Sequence, residues 1–158
     1  MNKSLRVRIA GLCAEIRTED FEVLSFLRSK FIDFLSNQKK KDLTIEIRGK
    51  HPSSPDQALP RLVFEEGKYN LISEKKPEIS LGHIDLENQK ASISDFEDRD
   101  KILHSVLLCF ALFIESSGGI ILHASAAYKN GQGFLFPGPA NAGKSTILKQ
   151  LKEFSPLA

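Results

Sequence analysis

Leu5, Val7 and Ile9 alternate with Arg6, Arg8 and Ala10, a period of two that predicts a half-buried strand, with Gly11 letting it bend. From Asp20 to Leu35 the period changes. Phe21, Leu24, Leu27, Phe31 and Phe34 recur at steps of three and four with Glu22, Arg28, Lys30 and Asp33 between them, which predicts an amphipathic helix. Alternation returns at Leu43, Ile45 and Ile47 for a second strand, and the prolines and serines of His51–Pro60 predict an irregular loop. Two hairpins are expected next, over Arg61–Ser73 turning near Glu66–Gly67 and over Ile79–Ser94 turning near Asn88–Gln89. Asp95–Ser117 reads as a largely buried helix, acidic in its first turn and stopped by Gly118–Gly119. Beyond it, segments Gly119–Tyr128 and Gly133–Pro137 flank Lys129-Asn130-Gly131-Gln132. Asn-Gly predicts a tight antiparallel turn, with the second segment suited to a buried strand.

The pattern predicts an α+β fold, mixed α/β in content. An antiparallel strand-rich part with one amphipathic helix is followed by a buried helix, a β-hairpin, a loop and a helix. We divide it into a strand-rich region 1–95 and a region 96–158, with one compact unit as the alternative.

Composition narrows the function classes. The 158 residues carry 22 basic and 20 acidic side chains, a formal net charge of +2, and so lack the global field of a nucleic-acid binder. The first residues show no signal-peptide stretch, and the longest apolar run, Val106–Ile114, is far short of the ~20 residues of a membrane span. Cys13 and Cys109 are too few and too distant for a disulfide framework, which with the lack of a leader predicts a cytoplasmic protein with reduced thiols. The triplet Lys39–Lys41 reads as solvated charge. His51, His83, His104 and His123 are isolated in sequence, and only His123 is retained as a catalytic candidate.

The chemistry concentrates at residues 138–146. Gly138–Ser145, GPANAGKS, fits G-x-x-x-x-G-K-[ST], in which backbone N–H groups wrap a phosphate chain, and it stands between an apolar strand and a helical segment as that motif requires. The nucleotide-binding set is Gly138, Pro139, Ala140, Asn141, Ala142, Gly143, Lys144, Ser145 and Thr146. Lys144 would reach the β- and γ-phosphates, the Ser145 hydroxyl would ligate Mg²⁺, and Thr146 would bond the α-phosphate. Asn141 stands where many such loops have glycine, and asparagine is the next most tolerant residue of positive φ.

The run GGIILHASAAYKNGQGFLFPGPANAGKSTILKQL resembles the nucleotide-binding core of the HPr kinase/phosphorylase-related kinases, a core similar to that of phosphoenolpyruvate carboxykinase. The resemblance spans about residues 96–153. It implies ATP and Mg²⁺ binding and phosphoryl transfer to a hydroxyl of a protein or small molecule, and it aligns His123 with the family's strand histidine.

The acids that such transfer needs, one to hold Mg²⁺ and one to take the acceptor proton, normally follow the loop helix. The fourteen residues after Lys144 hold only Glu153, so the chain is expected to be incomplete for catalysis and truncated relative to the family; Asp85, Asp95, Asp98 and Asp100 lie upstream. Two alternatives stand beside an ATP-binding kinase relative. One is a non-catalytic protein-interaction module with a vestigial loop. The other is a GTP-binding protein, against which stands the lack of N-K-x-D and D-x-x-G segments. Phe134, Phe136, Ile147 and Leu151 lack downstream strands to cover them, which predicts self-association into a homo-oligomer.

Overall fold

The structure, a computed structural model, describes residues 3–50, 59–77, 79–95, 98–122, 124–139 and 141–157. The predicted excursion at His51–Pro60 lies outside them except for Leu59 and Pro60. The chain forms two compact units, Met1–Gly119 and Ile120–Ala158. The long helix predicted from Asp95 falls in the first.

The fold is α+β. In the first unit β1 (Lys3–Ile9), β2 (Leu12–Thr18), β3 (Leu43–Lys50), β4 (Arg61–Glu65), β5 (Lys68–Ile72), β6 (Ser80–Asp85) and β7 (Lys90–Asp95) form one sheet in the order β1-β2-β3-β7-β6-β5-β4. Gly11 does more than bend a strand: Ala10 and Gly11 take φ of 50° and 86°, closing a hairpin onto β2, a strand the sequence reading omitted. Leu12, Ala14, Ile16 and Thr18 do alternate with Cys13, Glu15 and Arg17. The pattern is masked because Cys13 and Glu15, on the opposite face from Ala14 and Ile16, are buried too. The two predicted hairpins form, turning at Glu66–Gly67 and through residues 86–89. Pairings β2–β3 and β3–β7 are parallel and the others antiparallel, so the sheet is mixed.

Between β2 and β3 the chain passes through α1 (Phe21–Lys30), the kind of connection that parallel neighbours require. Asp20 caps α1, its carboxylate accepting from the N–H groups of Glu22 (2.7 Å) and Val23 (3.2 Å). The helix is shorter than Asp20–Leu35. It ends at Phe31, and a 3-10 turn, Ile32–Phe34, follows. Leu24, Leu27 and Phe31 are buried, whereas Phe21 and Phe34 at the ends of the predicted stripe are exposed.

α2 (Arg99–Ser116) buries Ile102, Val106, Cys109, Phe110 and Phe113, a stripe at three- and four-residue steps that packs with α1 and the apolar sheet face in one core. Its Phe110 ring meets Phe31 at 6.2 Å between centroids. Gly118, at φ 81°, ends it: the Gly119 N–H bonds the Ile114 carbonyl at 2.8 Å and the Gly118 N–H bonds Glu115 at 2.9 Å, a Schellman stop.

The second unit holds β8 (Ala124–Lys129), β9 (Gln132–Pro137), α3 (Lys144–Gln150) and β10 (Ser155–Leu157), with antiparallel strands ordered β10-β8-β9. The Asn130-Gly131 turn forms as predicted, with φ of 52° and 82°. Two expectations need correction. Among the described residues the strand runs from Ala124, not Gly119, with Ala124 opposite Pro137, and residues 120–122 belong to no strand. The strand Gly133–Pro137 is not buried. It pairs on one side only, so Leu135 stays 60% exposed.

Candidate functional site

The hairpin delivers the loop. From the Asn130-Gly131 turn the register runs Lys129↔Gln132 to Ala124↔Pro137, so the start of β8 lies beside the point where the chain leaves β9 for Gly138. Ala142 donates its N–H to the Pro139 carbonyl (3.3 Å), and Asn141 adopts φ 63°, the left-handed conformation that its short amide side chain tolerates. Gly143, at φ 77°, is the residue before α3, and its carbonyl accepts from Thr146 and Ile147 at 3.0 Å each. A side chain at that φ would be strained, which accounts for glycine there.

Lys144 opens α3 and folds back over the loop. Its Nζ donates to the carbonyl oxygens of Gly138 (2.9 Å) and Pro139 (2.6 Å). A cleft of ≈ 610 Å³ opens there, lined by Ala124 and Ser125 of β8 and by residues 141–146. Among the described residues its lining thus has one ammonium group, the hydroxyls of Ser125, Ser145 and Thr146, the Asn141 amide, and no carboxylate. That donor set suits an anion. Of the nine residues predicted to bind nucleotide, Asn141, Ala142, Gly143, Lys144, Ser145 and Thr146 line the cleft, and Gly138 and Pro139 hold the lysine. Ala140 and His123 lie outside the described residues.

For a divalent cation, Ser145 supplies one hydroxyl. No group of three or more His, Cys, Asp or Glu gathers among the described residues, so a hard cation here fits only as a companion of phosphate oxygens. Glu153, the acid after the loop, pairs with Lys129, whose hydrogen bond and charge hold its carboxyl below the usual range. The same ammonium lies 5.1 Å from the Phe154 ring, which meets Phe134 edge-on. Of the upstream acids, Asp85 accepts from the Asn88 backbone (2.9 Å) and amide (2.8 Å), bonds that lower its pKa, and Asp98 caps α2 by accepting from the Asp100 N–H at 3.0 Å. These carboxylates stabilise a turn and a helix end.

Other titratable candidates have structural surroundings. His104 Nε2 bonds the Pro60 carbonyl at 3.1 Å, and His83 is exposed. Lys41 of the basic triplet is not merely solvated: it bonds Glu15 at 2.8 Å, beside Arg17 at 2.6 Å and Arg6 at 3.3 Å. The Lys41 bond, with Arg17 behind it, outweighs burial and lowers the Glu15 pKa to about 2. Cys13 and Cys109 are free and buried, and burial pushes the Cys109 thiol up to about 12. No helix among the described residues is long and apolar enough to cross a membrane.

Ala124 and Ser125 line the cleft outside the motif, and Ser125 is the polar one of the two. Its signal is the hairpin register, which, counted outward from Asn130-Gly131, sets it opposite Phe136. Compared with protein-family models, with curated proteins and with solved structures, the chain matches none.

Proposed function

We propose that this chain binds ATP with Mg²⁺ through residues 138–146, and that its activity is of the kind its resemblance implies, phosphoryl transfer from ATP to a hydroxyl of a protein or small molecule. The observation that carries the reading is the conjunction of the G-x-x-x-x-G-K-S loop with a cleft whose lining, among the described residues, holds one ammonium, three hydroxyls and no carboxylate. Lys144 compensates phosphate charge, loop N–H groups and hydroxyls donate to phosphate oxygens, and Ser145 joins those oxygens around Mg²⁺. We place its action in the cytoplasm, where Cys13 and Cys109, both buried and outside any disulfide, would stay reduced.

The test is equilibrium titration with a fluorescent ATP analogue in the presence of Mg²⁺, followed by competition with ATP and GTP. Displacement by ATP, and its loss in Lys144→Ala, is expected. Affinity unchanged by that substitution would overturn the reading, and preference for GTP would move the chain to the GTP-binding class.

A second reading, a non-catalytic interaction module, is favoured by one observation: among the described residues that line the cleft there is no carboxylate to take the acceptor proton. ATP turnover by the purified chain, abolished in Lys144→Ala, would eliminate it. We also propose homo-oligomerisation through the second unit. Its support is that Ala127 is the one buried apolar side chain there among the described residues, while Tyr128, Phe134, Leu135 and Ile147 are exposed.

A further inference from the structure

We propose that Ser125 is a ligand-binding residue of the cleft, its hydroxyl donating to an oxygen of the bound phosphate chain; the proposal rests on the nucleotide reading above. Nothing in the loop motif calls for it, because Ser125 precedes the motif by thirteen residues and belongs to the neighbouring strand.

Three observations converge on it. The antiparallel register places Ser125 opposite Phe136, two residues before the loop begins, so the strand edge and the loop share one cleft wall. Within Ala124-Ser125-Ala126-Ala127 it is the one polar side chain, and a serine in a strand is weakly favoured compared with the β-branched residues that fill such positions. Its hydroxyl has no hydrogen-bond partner among the described residues, and the residue is only partly exposed. A hydroxyl donates one proton along a rotatable bond, so it adapts to a tetrahedral phosphate oxygen without adding charge. Lys144 supplies the cation, and Ser125 adds a donor from an element other than the loop.

The probes are Mg·ATP and inorganic tripolyphosphate, titrated calorimetrically into the wild-type chain, Ser125→Ala and Ser125→Thr. A hydrogen bond to a charged acceptor predicts an affinity loss of about tenfold or more in Ser125→Ala. The loss should be the same for both probes, since the contact is to phosphate. Ser125→Thr keeps the hydroxyl and should recover most of the affinity. Alanine is the residue type on both sides of this position, so the alanine variant should keep the wild-type thermal midpoint.

The two levels fail differently. A wild-type chain that binds neither probe overturns the nucleotide reading. A wild-type chain that binds both, with Ser125→Ala binding equally well, overturns only the role of Ser125. A loss that appears equally in alanine and threonine variants also overturns it, because strand shape and not the hydroxyl would then be at work.

Discussion

The Lys144 ammonium donates to the Gly138 carbonyl oxygen at 2.9 Å, closing a ring across the five residues of chain that separate them. With the bond to Pro139 it holds a positive charge in the lining of the cleft, anchored to the backbone of the loop itself. Lys144→Ala is therefore expected to weaken Mg·ATP binding at least about tenfold, the size of a lost hydrogen bond to a charged group, while the core of the first unit is untouched. Calorimetry with a parallel thermal melt checks both halves. Lys144→Arg should not restore full affinity, since a planar guanidinium does not reproduce the compact geometry of an ammonium.

Glu15 gives the fold its acid sensitivity. Its carboxyl lies at about 2 in the folded chain, below its ordinary value, because Lys41 and Arg17 hydrogen-bond the ionised form. A depressed carboxyl contributes stability that is fully present above its unfolded pKa and lost as pH falls from about 4.5 toward 2. The shift sets an upper value of about 3 kcal/mol, reduced by solvent around Arg17 and Lys41, whose side chains are 38% and 37% exposed. Glu15→Gln is expected to cost about 1–3 kcal/mol at pH 7 and to flatten the stability profile between pH 4.5 and 2. Urea unfolding at a series of pH values measures both.

Phe110 is the largest fully buried side chain among the described residues and packs against Phe31. Phe110→Ala leaves a cavity between α2 and α1 and is expected to cost about 3–5 kcal/mol. Denaturant titration checks the loss. Phe21→Ala, at a residue 63% exposed on the same predicted stripe, should cost far less.

The apolar surface of the second unit predicts concentration-dependent association. Leu135, on the edge strand β9, is 60% exposed, and an uncharged edge strand offers unpaired backbone groups for pairing. Leu135→Lys is expected to shift sedimentation toward the monomer. A wild-type chain that sediments as a monomer at high concentration would remove the prediction.

Local signals were legible wherever the chemistry is local. Asn130-Gly131, Glu66-Gly67 and Gly118 place turns and a helix stop through backbone conformations that few other residues adopt, and each forms where the residues predict. The start of α2 was less legible: the expected helix begins at Asp95, which instead ends β7, and Asp98 caps a helix that starts at Arg99. Strand β2 was not legible, because Glu15 is a buried acid whose neutralising cations come from residues 6, 17 and 41, an arrangement that depends on two turns and a helix.

The sequence by itself determined the α+β content, the hairpins and the loop motif, because periodicity, turn chemistry and a glycine-rich spacing act over a few residues. Only the tertiary structure decided that β3 pairs in parallel with both β2 and β7, that the long helix joins the first unit, and that β9 is an edge strand and not a buried one. It also decided that Ser125 faces the same cleft as Lys144. Those outcomes depend on which strand lies beside which, and strand neighbours are chosen by the burial of apolar faces contributed from distant parts of the chain.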